Sequence, residues 1–430
     1  MTFTLHVDGA RWREHTERTR DAVRSAISAG PRSAGDRAGD QAANEGDLVP
    51  VAKGNGYGLG NVRCVREAQR LGLTRVAVGT VYEVAEVAAS YDGDILVLTP
   101  YEPADRTAAA AWGVLGRTPY ADRVLRTVSS RPAWDALVTG TTPSRVLLEA
   151  FTSIGRFGLQ PDEIRGVLAD DTTISALASG HVRLEGLALH EPIAQPHVDR
   201  RTVAGSRWHD ASVAPLAPAG STRRVEEVLG AGLGWQSELA DLTERLAAAH
   251  DADALTDLTT AAALWVSHLD DGELRAVRAG LPDIALYARI GTRLWLGDRA
   301  ALQARGTVLA VHDVAKGQAS GYRQRRASKD GAVLVIGGGT SHGVALEAPS
   351  PAATSRQRAV AAGTGVLEGI GRSLSPFVIG GKQRWFAEPP HMHVSLVRLP
   401  EGVVLPAVGD EVPVDVRLTT VHPDRVHGLD

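Results

Sequence analysis

Short apolar runs alternate with longer amphipathic stretches until about Ala300. After a stretch with helical spacing over Arg11 to Ala29, β-type runs recur at Leu48–Lys53, Arg75–Thr80, Ile95–Thr99, Trp112–Arg117, Arg145–Ala150, Leu184–His190, Leu264–His268 and Ile284–Ile290. Between them lie stretches with apolar residues at helical spacing, such as Val62–Leu71, Val81–Ala89 and Val225–Ala249. Eight strands that alternate with helices are what a (β/α)8 barrel requires. Beyond Ala300 the pattern changes. Val308–Val314, Ala332–Ile336, Phe377–Ile379, His393–Leu399 and Val412–Leu418 are separated by Gly/Pro turns with few helical patterns, as in a β domain. The expected fold is therefore α/β, a barrel over residues 8–300 followed by a C-terminal β domain over 301–430. No internal repeat of fixed period appears beyond the strand-helix alternation.

Two segments interrupt this pattern. Ser33–Asp47, rich in Gly, Ala, Asp and Asn, reads as a mobile loop. Gln195–Arg223, rich in Pro, Ser, Arg and Ala, follows the run ending at His190. It reads either as a lid over the barrel mouth or as an excursion without a role.

Composition narrows the class. The 430 residues suffice for two domains, and the formal net charge of −4 gives no reason to expect nucleic acid or an anionic membrane surface as a partner. No run of about 18 apolar residues occurs and the N-terminus lacks a signal-like apolar region, so no membrane association is expected. Cys64 is the sole cysteine, which precludes an intrachain disulfide and suits a reducing, cytoplasmic setting.

Lysine is rare here: Lys53, Lys316, Lys329 and Lys382 are the only four, basic charge coming almost entirely from arginine. Lys53 ends the apolar run Val49-Pro-Val-Ala-Lys53 and opens a glycine-rich turn before a helix. An amine at the end of a buried strand is partly desolvated, which favours its neutral, nucleophilic form. The glycines allow close backbone approach to a ligand, and the helix start near Asn61 to Arg66 offers N–H groups suited to phosphate. Such parts could hold an aldehyde cofactor that carries a phosphate. Other candidates, Arg156, His190, Ser267 and Arg289, fall near or just past the C-terminal ends of runs, where barrels place their chemistry.

The segment Val51-Ala-Lys-Gly-Asn-Gly-Tyr-Gly-Leu-Gly60 resembles the pyridoxal phosphate (PLP) lysine motif of alanine racemases, Val-Val-Lys-Ala-Asn-Ala-Tyr-Gly-His-Gly. The resemblance implies a PLP-binding barrel in which Lys53 bonds the cofactor and Tyr57 touches its phosphate. It also implies that the Thr2–Val7 strand joins the C-terminal domain. Ala288-Arg-Ile-Gly-Thr-Arg-Leu-Trp-Leu-Gly297 resembles the family's Val-Arg-Pro-Gly-Ile-Ala-Leu-Tyr-Gly. Arg289 would then face the pyridine nitrogen, while Gly291 and Thr292 would give backbone N–H groups to the phosphate. A guanidinium stays protonated, so the ring nitrogen would accept a hydrogen bond and the ring would be a weaker electron sink.

Thr152-Ser-Ile-Gly-Arg-Phe-Gly158 resembles Asp-Thr-Gly-Met-x-Arg-x-Gly and makes Arg156 a ligand for the substrate carboxylate, which a guanidinium can meet with two parallel hydrogen bonds. The family's Asp is Phe151 here. An upstream lysine, carbamylated in some members, is Glu149, which could supply the same negative charge or serve only as an inward-facing strand glutamate. Leu184-Glu-Gly-Leu-Ala-Leu-His190 resembles the strand whose terminal histidine stacks on the cofactor ring, and Ser267 in Trp265-Val-Ser-His268 is a candidate phosphate hydroxyl. In Glu388-Pro-Pro-His-Met-His393, Met392 matches a family methionine at the substrate, with His391 and His393 where a Cys and an Asp usually stand. Val408-Gly-Asp-Glu-Val412 also fits the family's C-terminal domain.

One departure bears on the reaction. Racemases carry a catalytic tyrosine in Gly-Tyr-x-Asp-Gly-Tyr, contributed across a homodimer, whereas this chain reads Ile336-Gly-Gly-Gly-Thr-Ser-His-Gly343. The tyrosine position is Gly338 or is displaced by a gap, and the later aspartate is His393. Racemisation needs acid-base groups on both faces of Cα. Lys53 can serve one, and His342 or His393, or a water held by one, would have to serve the other. The resemblance thus implies a cytoplasmic, homodimeric PLP-dependent isomerase acting on a small amino acid, without a metal. One alternative is a fold-related dehydratase or aldolase of β-hydroxy amino acids, with His391 and His393 on one strand face helping to bind a divalent metal. Another is a PLP-binding protein without turnover.

Overall fold

The computed structural model describes residues 2–28, 46–193, 221–249, 258, 260–346 and 373–429. Ser33–Asp47 and Gln195–Arg223 lie outside these residues apart from their last few positions. In chain order the first elements are β1 (Phe3–Val7), α1 (Gly9–Ile27), β2 (Leu48–Pro50), α2 (Asn61–Arg70), β3 (Arg75–Val78), α3 (Val84–Ala88), β4 (Asp94–Val97) and α4 (Arg106–Leu115). Then come β5 (Val124–Val128), α5 (Arg131–Val138), β6 (Ser144–Glu149), α6 (Pro161–Leu168), α7 (Asp171–Ala178), β7 (Val182–His190), α8 (Arg223–Ala249), β8 (Ala263–Ser267), α9 (Asp271–Gly280), β9 (Ala285–Ile290) and α10 (Thr292–Leu296). The remainder is mostly strand: β10 (Leu302–Val314), β11 (Ala319–Ser320), β12 (Arg325–Arg326), β13 (Gly331–Gly337), β14 (Leu374–Ile379), β15 (Lys382–Phe386), β16 (Val394–Pro400), β17 (Glu411–Val414) and β18 (Arg425–His427).

Two compact units result. One comprises Thr16–Gly54 and Cys64–Leu294; the other comprises Met1–His15, Asn55–Arg63 and Trp295–Asp430.

In the first unit eight parallel strands run in the order β2-β9-β8-β7-β6-β5-β4-β3. A parallel bridge between Val51 and Ala77, with Ala52 N–H donating to the Ala77 carbonyl at 2.8 Å, brings the end of the β2 segment back to β3. The result is a nearly closed (β/α)8 barrel. Its interior is filled by Val49, Ala77, Leu96, Leu125, Leu147, Ala188, Trp265 and Tyr287, so it is a packed core and not a pore. Helix starts follow their capping signals. Asp105 accepts from Thr107 and Ala108 N–H groups, Ser130 accepts from Ala133 ahead of a Pro at the start of α5, and Asp270 with Glu273 forms a capping box.

The fourth strand differs from the sequence expectation. Trp112–Arg117 is the end of α4 and the turn after it, and the strand is Val124–Val128. The cap at Asp105 and the alanines of Arg106–Leu115 carry a helix through Trp112, so the apolar run there is its buried face. The true strand was hidden because Arg126 interrupts its apolar pattern. Leu125 points into the barrel, whereas Arg126, only 8 % exposed, lies outward with its guanidinium carbon 4.6 Å from the Trp112 ring centroid and 5.5 Å from that of Tyr101. Aromatic faces thus compensate for part of its desolvation.

In the second unit the strands run β13-β16-β15-β14-β17-β10-β1-β18, and β10 also pairs with β13, which closes six of them into a ring. Pairing is antiparallel except between β1 and β18. β1 lies against β10 in the register Phe3 to Gly306 through Val7 to Leu302. Among the described residues no helix is long and apolar enough to cross a membrane.

Candidate active site

Four adjacent strands of the barrel, β7, β8, β9 and β2, carry candidates at or just past their C-terminal ends. His190 is the last residue of β7 and pairs in register with Ser267, the last of β8; Ser267 pairs in turn with Arg289 of β9, and Arg289 with Val49 of β2. The parallel register therefore sets three polar residues in one row across the barrel rim. Lys53 follows β2 beyond the Val51 bridge.

Contacts lock the row. Ser267 Oγ and His190 Nδ1 share a hydrogen bond of 2.8 Å, and the His268 ring stands edge-on to His190 at 4.9 Å. Arg289, 6 % exposed, donates from Nη2 to the Leu189 carbonyl at 2.7 Å, while its Nε–H is buried without an acceptor among the described residues. His268 adopts a left-handed conformation, φ 63°, at the strand end.

The electrostatics favour an anion. The Lys53 residue is exposed, yet partial burial of its amine, followed by the fields of Arg156 and Arg289, holds its pKa below the ordinary lysine range; Glu83 opposes them. Burial, then Arg289, Arg156, His268 and Lys53, pushes His190 down to about 2, so its ring is neutral. Burial and the same cations push His268 down to about 4. Arg289 falls to about 10 through burial, against the pull of Glu149, and remains a cation at neutral pH. Burial also raises Glu149, which is 3 % exposed and leaves Oε2 without a donor among the described residues. Arg289 and Arg156 around the buried Glu149, with Lys53 beside them, give the rim a positive potential suited to phosphate and carboxylate groups.

Glu83 fixes the backbone around Lys53. Its Oε1 accepts from Gly54 N–H at 2.8 Å, and its Oε2 accepts from Gly79 at 2.6 Å and Thr80 at 3.2 Å. Thr80 and Glu83 form a capping box at the next helical turn, a Thr-x-x-Glu signature legible in the sequence.

Arg156 lies on a loop closed at its base by the Ala150–Leu159 bridge. Gly158, φ +123°, is required there because a Cβ would lie 2.3 Å from Phe151 N. Thr152 Oγ1 donates to the His190 carbonyl at 2.6 Å, tying the loop to the end of β7. Arg156 itself is exposed, its guanidinium carbon 5.1 Å from the Phe157 ring centroid, and makes no ion pair among the described residues. Gly291 and Thr292 stand at the junction of β9 and α10, with Leu294 N–H donating to the Gly291 carbonyl.

The remaining candidates belong to the second unit. Tyr57 is buried in a tight turn at φ 59°, ψ 29°, next to Asn55, whose Nδ2 donates to the Leu418 carbonyl at 3.0 Å. His342 is 6 % exposed and engaged at both ring nitrogens. Gly339 N–H donates to Nδ1 at 3.2 Å, and Nε2 lies 3.2 Å from Asp424 Oδ1. His393 is exposed, its ring 6.0 Å from that of His342. Met392, 66 % exposed, lines a recess of about 630 Å³ with Tyr322, Arg323, Thr340, His391 and His393.

The sequence places His391 and His393 on one strand face, but the strand begins only at Val394. His391 Nε2 bonds Glu388 Oε1 at 2.7 Å and its ring packs on Tyr322, while His393 turns toward His342. Among the described residues no cluster of three or more His, Cys, Asp or Glu could hold a metal.

Known proteins match this architecture. Residues 36–211 match the family model "Alanine racemase, N-terminal domain". The alanine racemase of Levilactobacillus brevis is 30 % identical over 147 residues, 34 % of this chain and 37 % of that protein. That of Geobacillus stearothermophilus is 32 % identical over 150 residues, 33 % of this chain and 34 % of the other. The alanine racemase structure from Bartonella henselae, described with covalently bound pyridoxal phosphate, superposes with a TM-score of 0.54 at 14 % identity, covering 96 % of this chain and 90 % of that one. Residues 36–211 are thus similar in sequence to the N-terminal domain of alanine racemases, and the fold is that of alanine racemase structures. The matched sequence spans about a third of each curated relative, and it is the fold that extends over nearly the whole chain.

His268, Glu83, Glu191 and Glu227 were not singled out by sequence reasoning. For the last two no local pattern exists, since their meeting depends on the barrel closing.

Proposed function

We propose that this protein is a PLP-dependent, racemase-like isomerase acting at Cα of a small amino acid. The observation that carries the reading is the rim itself: Lys53, His190, Ser267 and Arg289 on four adjacent strand ends, with Arg156 on the neighbouring loop. These residues fit the cofactor. Arg289 keeps a buried Nε–H without an acceptor among the described residues, and the cationic rim suits a phosphate. PLP, when bound, supplies an electron sink that acidifies the Cα–H of an attached amino acid.

The chain's own residues divide the remaining work. The Lys53 amine, shifted toward its neutral form, would hold the cofactor covalently and would take and return a proton at Cα from one face. The neutral His190 ring, held by Ser267 Oγ, offers a flat uncharged surface against the cofactor ring. The Arg289 cation would face the ring nitrogen, and Ser267, Gly291 and Thr292 would hold the phosphate. Arg156 binds the substrate carboxylate through a planar pair of hydrogen bonds. Glu149, buried beside Arg289 and Arg156, lowers the cost of bringing two guanidinium groups together.

For the second face of Cα we propose His393 in preference to His342. His342 spends both ring nitrogens inside the β domain, whereas the His393 ring is exposed in a recess with Met392. His393 would act in a homodimer, on the rim of the second copy, and the protein would work in the cytoplasm. The test is incubation with PLP and each enantiomer of alanine, serine and other small amino acids in deuterated water. Exchange at Cα with inversion is the expected result. Exchange without inversion would point to a PLP-binding protein whose second base is gone, and no exchange at all would overturn the reading.

A further inference from the structure

Directly after His190 the chain buries a carboxyl group that no part of the proposed reaction uses. Glu191 is fully buried, and among the described residues neither oxygen has a hydrogen-bond donor. Its neighbour, within hydrogen-bonding reach, is Glu227, also fully buried, on the second turn of α8. Glu227 accepts from Ser153 N–H at 2.8 Å on Oε1 and from Ser153 Oγ at 2.6 Å on Oε2. Ser153 is the second residue of the Thr152–Gly158 loop that carries Arg156.

The other groups around the pair are already committed. Arg224, one turn before Glu227, forms a two-pronged ion pair with Glu273 of α9, at 2.8 Å to each oxygen, and donates to the Pro192 and Ile193 carbonyls. Thr222 Oγ1 also donates to Glu273, at 2.6 Å. Of the cations, Arg289 faces Glu191 from β9, and Arg224 gives it partial compensation. Two buried carboxylates side by side would repel strongly and leave Glu191 without a donor, whereas one proton held between them removes both penalties.

We infer that Glu191 and Glu227 share a single proton, and that this carboxyl pair is a positioning device which fixes the Ser153 end of the loop so that Arg156 is held out over the barrel rim. The loop then has three anchors: the Ala150–Leu159 bridge at its base, Thr152 on the His190 carbonyl, and Ser153 on Glu227. Two of them converge on the His190-Glu191 segment, so the orientation of the arginine is coupled to the strand end that carries the cofactor-facing histidine. The role of Arg156 toward a carboxylate rests on the function proposed above; the shared proton and the loop anchor do not.

The direction of titration follows from the burial. Burial, then the charge and hydrogen bond of Glu227, lift Glu191 to about 9. A carboxyl raised in the folded state takes up a proton on folding, so its contribution to stability is lost as pH rises from the ordinary glutamate range through about 9. Glu191→Gln removes the titrating group and supplies an N–H donor in place of the shared proton, so it should abolish that dependence, whereas Glu227→Gln removes only the neighbouring charge and should weaken it.

The experiment uses the full chain. Thermal midpoints are measured across this pH range for the wild type, Glu191→Gln and Glu227→Gln, and hydrogen-deuterium exchange is followed in the peptide spanning the loop for the wild type, Glu191→Gln and Ser153→Ala. The expected result is a wild-type midpoint that declines with pH and is flatter in both Gln variants, loop protection retained in Glu191→Gln, and protection in Ser153→Ala reduced at least severalfold. If turnover is present, Ser153→Ala should raise KM for the amino acid with kcat little changed. Equal pH slopes in all three proteins, or undiminished protection in Ser153→Ala, would overturn the inference. Neither readout requires PLP or turnover, so their failure is separate from failure of the functional reading.

Discussion

Ser267 Oγ lies 2.8 Å from His190 Nδ1, joining the last residues of two neighbouring parallel strands. The hydroxyl fixes the plane of a ring that burial and nearby cations keep neutral. Ser267→Ala should therefore leave a partly buried imidazole nitrogen without its partner and remove a proposed phosphate ligand. The expected loss is about 1–3 kcal/mol, close to a tenfold or greater rise in the dissociation constant for PLP. Fluorescence titration of the apoprotein measures it; an unchanged constant would remove Ser267 from the cofactor site.

Acid should destabilise the barrel through the same histidine. An unfolded imidazole titrates near pH 6.5, whereas His190 in the fold is pushed down to about 2. For a depressed pKa the stabilising contribution is present above the unfolded value and lost as pH falls from there toward the folded one, by at most about 1.4 kcal/mol per pH unit for one group. Urea midpoints measured on acidification should fall more steeply for the wild type than for His190→Asn. Parallel curves would contradict the assigned neutrality.

Arg156 should act on substrate rather than cofactor. Arg156→Ala loses hydrogen bonds to a charged group, about 1.5–3 kcal/mol, so KM should rise roughly 10- to 100-fold while the PLP absorbance band is retained. Arg156→Lys keeps the charge but not the planar pair of donors and should recover only part of the loss. Loss of the band in either variant would instead make the residue structural.

Much of this arrangement was legible in the chain, and the exceptions have physical causes. Most barrel strands announced themselves because strands covered by helices on one side and packed inside on the other read as continuous apolar runs. Val124–Val128 did not, since Arg126 is tolerated there only by the Trp112 and Tyr101 faces, a tertiary fact. The expected placement of His391 and His393 on one strand face fails because Pro389 and Pro390 precede them; a proline lacks the N–H a ladder needs, and the strand starts at Val394. The Lys53 motif was readable because its glycines are forced by backbone geometry: Gly56, φ +57°, would place a Cβ 2.5 Å from Asn61 N. Glu191 and Glu227 carry no such local constraint, and only the folded barrel brings them together.

The two histidines of the β domain should separate cleanly. His342→Ala removes a ring bonded to Gly339 and Asp424 and should lower the thermal midpoint. His393→Ala should leave the midpoint nearly unchanged but block inversion at Cα while exchange from one enantiomer continues. Inversion that survives His393→Ala would exclude it as the second base.

The central claim is that Lys53 bonds the cofactor, and borohydride reduction of the PLP-loaded protein followed by peptide mass spectrometry tests it most directly. The account predicts one pyridoxyl-phosphate adduct, on the peptide containing Lys53, that disappears in Lys53→Ala together with the visible absorbance band. An adduct on Lys316, Lys329 or Lys382 that persists in Lys53→Ala, or no adduct with the wild type at saturating PLP, would contradict it.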